Sequence, residues 1–515
     1  MRFSSGATAG VAAVSPLVAP LEGWDEPERG LEALSGDDLP VMLRSFPGGR
    51  RVPEHGRWSI LATSPFARVD WRMTQGADPF ERLAREVEVF RCASATGLPF
   101  SGGAIGYIGY DAGRRVERID PAGRGRPPLE RVVPDVLFGL YSWAVLWDHR
   151  RRRRWVVSTG FPESGRLRLR KARDDARAVS MRLSRFSVAT PSERHEGASP
   201  VPAPVVGSSL SRSAYLDMVR RARRGIARGD YYQVNLSQRL LFAAPRCPRA
   251  LFEAIGRLSA APFSGYMGAG PFTIVSASPE RFLSLRGRTA ESRPIKGTAP
   301  RGPDPDEDRR RARELLASSK DRAENVMIVD LVRNDLGRVC RPGSVEIAGL
   351  CRLETYASVH HLVSTVRGVL DDDRGRIDLI RALFPAGSMT GAPKPRAMQE
   401  IEDLEPHRRG VYAGSMGYLS FCGDLDLNIM IRTVIVTGRS AWLQVGGGIV
   451  ADSRPSSEYR ESLDKALSVR RALAWAGASS RETGDPGRDV AGIRDASPMT
   501  PRGKRTVRHQ SARRN

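Results

Sequence analysis

Short apolar runs separated by turn-forming residues dominate residues 30–185. Runs such as RWSILATS, GGAIGYIGYD, LYSWAVLWDH and RWVVSTG have the length and the β-branched and aromatic content typical of strands. Residues 211–475 mix similar runs, including PFTIVSAS and SAWLQVGGGIVA, with a helical pattern in SAYLDMVRRARRGIARG. The pattern predicts a protein of mixed α and β structure.

Changes in composition divide the chain into five segments. Residues 1–29 contain a short apolar stretch that prolines interrupt, which predicts a loose N-terminal extension rather than a signal peptide. Residues 189–210 are rich in Pro, Ser and Gly and are predicted to link an N-terminal region, residues 30–188, to a second region, residues 211–475. Residues 476–515 are polar and rich in arginine, which predicts a disordered basic tail.

Charge and cysteine content narrow the function classes. The 515 residues carry a formal net charge of +23, which makes a basic nucleic-acid-binding protein one alternative. The arginines are scattered along the chain, however, so attraction of small acidic substrates explains the charge better. The five cysteines are dispersed and form no CxxC pair, which argues for a reducing compartment and against a zinc site. No apolar run reaches the roughly 20 residues of a membrane span, so we expect a cytoplasmic protein without membrane contact.

Two pairs of acidic residues have helical spacing. Asp321 and Glu324 lie three positions apart, and so do Glu458 and Glu461, with Lys465 four positions further on. Residues three or four apart share one helix face. The apolar residues beside the first pair predict a buried helix: Val326, Met327, Val329 and Leu331. Each pair alone is compatible with a solvated face, whereas the two together are compatible with a Mg²⁺ site completed by water and an anionic substrate.

Other candidate chemistry stays ambiguous on the residues alone. Lys296 in ESRPIKGTAPRG has three possible roles: a solvated loop charge, a phosphate clamp or a nucleophile. His361 lies in a strand-like run, where a hydrogen-bonded core histidine is the more common outcome. The glycine segments GGAIGYIGY, VGGGIV and FPAGSMTGAPK lack the spacing of dinucleotide-binding or P-loop motifs.

Seven motifs in a fixed order resemble the chorismate-utilising enzymes. They are SPERFLSL, SRPIKGTAPRG, AENVMIVDLVRNDLGRVC, FPAGSMTGAPK, GVYAGSMGYLS, NIMIRT and GGGIVADSRPSSEYRESLDKA, and they cover essentially all of residues 211–475. The N-terminal half is similar to the smaller region that precedes this domain in anthranilate and aminodeoxychorismate synthases. The resemblance implies an α/β fold with two large, mainly antiparallel sheets packed as a sandwich and flanked by helices.

Two positions separate the branches of that family. Members that add water to chorismate carry a lysine where this chain has Gln233, so the resemblance disfavours hydration. Anthranilate synthases carry alanine in the PIxGT segment, whereas aminodeoxychorismate synthases typically carry lysine, here Lys296. The resemblance therefore implies synthesis of aminodeoxychorismate in the folate branch, with Lys296 as a covalent nucleophile. Anthranilate synthase component I remains the alternative within the family.

The resemblance also assigns roles to further residues. Glu324 and Glu461 are implied ligands of Mg²⁺, with Asp321 and Glu458 in support, and His361 is implied to assist departure of the C4 hydroxyl of chorismate. Substrate-binding roles fall on Thr298, Thr390, Tyr412, Arg432, Lys465, Gly446, Gly447 and Gly448.

Absent and altered motifs bear on partners. No histidine is followed two residues later by glutamate, so we expect ammonia to come from a separate glutamine amidotransferase subunit. No segment resembles a pyridoxal-phosphate lyase, so the product is expected to stop at aminodeoxychorismate. Arg44 stands in VMLRS where related proteins have an acidic tryptophan-binding segment, so the resemblance gives no support for tryptophan binding.

Overall fold

The computed structural model describes residues 13–46, 52, 54–95, 97–120, 132–187, 201–356 and 359–478. The strands in these ranges are β1 (Leu17–Leu21), β2 (Val41–Arg44), β3 (Trp58–Ala62), β4 (Ala67–Trp71), β5 (Gly103–Ile108), β6 (Val136–Tyr141), β7 (Trp143–Asp148), β8 (Arg153–Ser158), β9 (Gly207–Ser208), β10 (Gln233–Ala243), β11 (Phe263–Gly268), β12 (Thr273–Ser278), β13 (Arg281–Arg286), β14 (Thr289–Arg293), β15 (Ile295–Pro300), β16 (Glu346–Thr355), β17 (Val359–Val369), β18 (Gly391–Ala392), β19 (Ser415–Ser420), β20 (Leu425–Asn428), β21 (Thr433–Thr437) and β22 (Ser440–Ile449).

The helices in the same ranges are α1 (Pro27–Leu34), α2 (Pro79–Val87), α3 (Gly165–Ser187), α4 (Arg212–Ala227), α5 (Pro248–Leu258), α6 (Pro305–Ala317), α7 (Ser319–Gly337), α8 (Arg376–Leu383), α9 (Gly387–Thr390), α10 (Lys394–Leu404) and α11 (Pro455–Ala478). Within the described ranges, every helix is too short or too polar to span a bilayer.

Two large sheets contain the strands. The first follows the order β1-β8-β7-β3-β2-β11-β12-β21-β22-β10-β18, and β9 also pairs with β10. The second follows β15-β17-β14-β13-β20-β19-β5-β6-β4, and β16 also pairs with β17. The pairings between these strands are antiparallel. The expected fold of two large, mainly antiparallel sheets is confirmed.

Three apolar layers hold the sheets and helices together. Side chains from both sheets, including Ile60 of the first and Tyr107 of the second, form a core between them. The other face of the first sheet packs against α1, α3, α5 and α11. The other face of the second sheet packs against α2, α7 and α8. Each helix layer buries one apolar face against a sheet, so the sandwich is flanked by helices as expected.

The structure changes the predicted division into segments. Strand β1 lies within the segment predicted to be a loose extension, yet it pairs along its whole length with β8. Strands from residues 30–188 and 211–475 alternate within both sheets, for example where β2 pairs with β11. The two regions are therefore parts of one folded unit. Local apolar patterns do not reveal pairings between distant strands.

The linker and the tail fall partly outside the described residues. Residues 189–200 of the predicted linker lie outside them, and β9 in the remainder pairs with β10. Helix α11 continues to Ala478, and residues 479–515 of the predicted tail lie outside the described ranges.

Candidate active site

Lys296 lies on a β-bulge at the end of the second sheet. Between Ile295, opposite Val363, and Thr298, opposite His361, β15 has one more residue than β17. Such a bulge bends the strand and redirects its side chains. Gly297 has a φ of 87°, a conformation that glycine adopts without strain. The sequence Lys-Gly-Thr therefore encodes the bulge, and Lys296 is a strand residue rather than the loop residue considered above.

Glycines of the first sheet allow the lysine to approach closely. A Cβ atom on Gly448 of β22 would lie 3.3 Å from Lys296 Nζ and 2.7 Å from Gln233 Nε2. Gln233 is fully buried, and within the described residues neither polar atom of its amide has a hydrogen-bond partner. Buried polar groups are almost always satisfied in folded proteins. The amide is thus available for a polar ligand beside the lysine.

The surroundings of Lys296 favour a neutral amine. Burial lowers the pKa of Lys296, and the positive charge of Lys465 lowers this pKa further. The carboxylates of Glu324, Glu280 and Glu461 oppose that shift without reversing it. A neutral amine is a nucleophile, whereas an ammonium ion is not.

Three of the predicted acidic residues surround the opposite wall of this space. A Cβ atom on Gly447 would lie 3.5 Å from Glu458 Oε2 and 3.8 Å from Glu461 Oε1. Lys465 Nζ lies 2.9 Å from Glu461 Oε1 and donates a hydrogen bond to the Gly446 carbonyl at 3.0 Å. Glu324 reaches the same space from α7, because its charge acts on Lys296.

The start of α7 fixes the first acidic pair. The Ser318 hydroxyl accepts a hydrogen bond from the backbone N–H of Asp321, which defines the first turn of the helix. A Cβ atom on Gly297 would lie 3.0 Å from Asp321 Cβ, so Asp321 packs against the bulge. Glu324 lies one turn later and is largely buried.

The carboxylates fit a Mg²⁺ ion that substrate and water help to coordinate. Among the described residues, no group of three or more His, Cys, Asp or Glu side chains could hold a metal ion by itself. Mg²⁺ commonly binds one or two carboxylates and completes its octahedron with water and substrate oxygens. Burial raises the pKa of Glu458, and the nearby charge of Glu461 raises it further. A divalent cation between α7 and α11 would relieve that repulsion, so the donor set fits the ion.

Glu280 is a site residue that the sequence reasoning missed. It lies between β12 and β13 and is 4 % exposed. Its Oε1 accepts hydrogen bonds from the backbone N–H of Ile295 at 3.3 Å and from the Ser388 hydroxyl at 3.1 Å. Burial raises the pKa of Glu280 to about 7, although these hydrogen bonds and Lys296 oppose the shift. The signal in the sequence was a glutamate directly after an apolar strand, in SPERFLSL.

His361 is neutral in this environment. Burial lowers the pKa of His361 to about 3, and the charge of Arg432 contributes to this shift. Its Nδ1 lies 2.8 Å from the Thr298 hydroxyl, and its ring packs edge-on against Tyr356. A neutral imidazole can position a hydroxyl or relay a proton, but it holds no proton to donate as an imidazolium.

Two further residues are suited to binding carboxylates, and one is not. The guanidinium of Arg432 has no ion pair within the described part of the chain, although its charge reaches His361. Tyr412 is 6 % exposed, and the Arg409 guanidinium lies 5.7 Å from the centre of its ring. Thr390 is fully buried, and its hydroxyl donates to the carbonyls of its own short helix. It therefore presents no free donor, unlike the expected substrate contact.

A separate cavity of about 540 Å³ lies between the sheets. Arg44 lines it, and this side chain is already paired with Glu26 and Glu28 and contacts His149. The cavity is thus lined by a satisfied arginine where related proteins have an acidic segment.

The chain is similar to known proteins over most of its length. A family model described as chorismate binding enzyme matches residues 52–471. Aminodeoxychorismate synthase component 1 of Klebsiella aerogenes is 43 % identical over 87 % of this chain and 97 % of that protein. Anthranilate synthase component 1 of Thermus thermophilus is 41 % identical over 84 % and 92 %. The crystal structure of anthranilate synthase component I from Streptococcus pneumoniae TIGR4 superimposes with a TM-score of 0.69 at 31 % identity, covering 82 % of this chain and 93 % of that one.

Proposed function

The chain belongs to the family of chorismate binding enzymes, and from this premise we propose that it is the synthase component of an aminodeoxychorismate synthase. Such an enzyme converts chorismate and ammonia to 4-amino-4-deoxychorismate, the precursor of para-aminobenzoate. Overall identity separates the two candidate branches poorly, because relatives from both match at similar levels. The buried Lys296, with its lowered pKa, carries the choice.

Lys296 turns one difficult substitution into two additions. Its neutral amine adds to C2 of chorismate while the ring double bond shifts and the C4 hydroxyl leaves as water. Ammonia then adds at C4, and the double bond shifts back as the Lys296 amine leaves C2. Each addition replaces the group at C4 or C2 without direct displacement, which is the advantage of covalent catalysis.

Glu280 is suited to supply the proton that the leaving hydroxyl needs. A carboxyl group with a pKa of about 7 holds a proton in a large fraction of molecules at neutral pH. Ionised Glu280 can then accept the proton that the Lys296 nitrogen loses after addition. Neutral His361, bonded to Thr298, would orient the hydroxyl rather than protonate it.

The remaining residues bind and orient the substrate. The unpaired Arg432 guanidinium is suited to a bidentate contact with a carboxylate of chorismate, and Tyr412 and Lys465 lie ready to support it. Glu324 and Glu461 would hold Mg²⁺, with Asp321 and Glu458 in support. When bound, the ion supplies positive charge that holds the ring carboxylate and polarises the ring for attack.

The proposal includes a partner and a location. Ammonia is expected from a separate glutamine amidotransferase subunit, which accords with the component 1 naming of the relatives. The cytoplasmic location stays a prediction. The satisfied state of Arg44 gives no support for tryptophan binding.

A product assay tests the function. The purified chain is given chorismate, Mg²⁺ and ammonium, and the products are separated by chromatography. We expect aminodeoxychorismate, with neither pyruvate nor a fluorescent aromatic product until a lyase is added. Pyruvate and fluorescent anthranilate from the purified chain would instead establish the anthranilate synthase alternative.

A further inference from the structure

One face of α7 is apolar and exposed. The sequence pattern predicted that Val326, Met327, Val329 and Leu331 would all be buried, but only Val329 is. The others line a shallow groove that Tyr232 and Ala392 complete. Tyr232 is 73 % exposed and Val326 is 41 % exposed. The prediction was wrong because α7 packs a different face, including Ile328 and Val332, onto the second sheet.

This groove lies next to the candidate active site. Val326 follows Glu324 by two residues on α7. Tyr232 precedes Gln233, whose amide lies beside Lys296, and the Tyr232 backbone N–H donates to the Ala392 carbonyl at 2.8 Å. A protein covering the groove would therefore sit directly outside the space where Lys296 lies.

We infer that this groove is the docking surface for the glutamine amidotransferase subunit. The inference rests on the proposed function, in which ammonia is a substrate and must reach C4 unprotonated. Ammonia released into water at neutral pH becomes ammonium, so its source must sit against the site. An exposed aromatic within an apolar patch is the usual composition of an interface centre.

The charges around the groove indicate the chemistry of the partner surface. Four arginines and two aspartates surround it: Arg228, Arg322, Arg333, Arg396, Asp230 and Asp330. Within the described residues Arg322 has no ion pair, while Asp230 and Asp330 are already paired. The excess of positive charge favours a partner with an acidic rim around an apolar centre.

The test separates docking from catalysis. Three variants are prepared: Tyr232→Ala and Val326→Asp in the groove, and Val89→Asp at a 68 % exposed position outside it. The partner is a purified amidotransferase subunit that gives the wild-type chain glutamine-dependent product. The dissociation constant is measured by calorimetric titration, and reaction rates are measured with ammonium and with glutamine.

We expect each groove variant to raise the Kd at least about 30-fold, as loss of an interface hot spot does. The ammonium-driven rate should stay within about twofold of wild type, and high partner concentrations should restore the glutamine-driven rate. Val89→Asp should bind like wild type.

Wild-type affinity in both groove variants overturns the inference, as does equal weakening by Val89→Asp. Sedimentation showing that a second copy of this chain covers the groove also overturns it. If no amidotransferase subunit activates the wild-type chain, the docking surface fails while the ammonium reaction still stands. Absence of aminodeoxychorismate with ammonium instead refutes the proposed function.

Discussion

Glu280→Gln exchanges a buried carboxyl group for a neutral amide of nearly the same shape. The glutamine carbonyl can still accept the hydrogen bonds from Ile295 and Ser388. The variant thus imitates the protonated glutamate at every pH. We expect it to be more stable than the wild type in alkaline solution and far less active.

The magnitude of the stability change follows from the pKa of Glu280. This pKa is about 7 in the folded protein against 4.5 for the ordinary side chain. Because the folded pKa is raised, the stabilising contribution is complete below 4.5 and is lost as the pH rises through 7. Each pH unit between the two values corresponds to about 1.4 kcal/mol, so the variant should gain roughly 3 kcal/mol over the wild type by pH 8.5.

Urea unfolding of both proteins at several values between about pH 4.5 and pH 8.5 measures the difference. Glu291→Gln is a matched control with the opposite sign. Burial opposes the shift, yet Arg281 and Arg367 lower the pKa of Glu291, so its contribution exists above the unfolded pKa and is lost as pH falls. The control should be less stable than wild type at neutral pH. A stability difference for Glu280→Gln that does not change with pH would refute the reasoning.

Three further outcomes are expected. Glu324→Gln and Glu461→Gln should each lower activity by at least about 100-fold at limiting Mg²⁺ with little change in melting temperature, since a strict octahedral ion loses a charged ligand; full activity in either variant would remove that residue from the metal site. Gly448→Ala should abolish most activity, because the methyl group would crowd Gln233 and Lys296, whereas Gly76→Ala, with open space around it, should behave as wild type; equal rates would show that the space is not used. The purified chain should be inert with glutamine and active with ammonium, and turnover with glutamine alone would reveal an amidotransferase activity of its own.

Much of the fold could be predicted from the sequence because its determinants are local. The alternation of apolar residues identified most strands, and the ordered motifs indicated two antiparallel sheets. Pairing between distant strands left no local signal, so β1 was taken for a loose segment although it extends the first sheet. Burial of helix faces was also beyond local pattern, because apolar Val326 and Leu331 are unpartnered on the surface of this chain.

The site was predictable where a residue type is chemically distinctive. Lys296 and the acidic pairs stood out by charge and spacing, and the structure brings them around one space. Glu280 was missed because its raised pKa comes from burial, which a single glutamate after a strand does not announce. Thr390 was expected to contact substrate, but its hydroxyl bonds to its own helix.

The central claim is that Lys296 forms a covalent bond with chorismate. Intact-protein mass spectrometry after acid quenching, with chorismate and Mg²⁺ but no ammonia, tests it most directly. The wild-type chain should carry an adduct with the mass of chorismate less water, mapped to Lys296, and Lys296→Ala should carry none while still binding chorismate. A wild-type chain without the adduct, together with a Lys296→Ala variant that makes aminodeoxychorismate at an undiminished rate, would contradict the account.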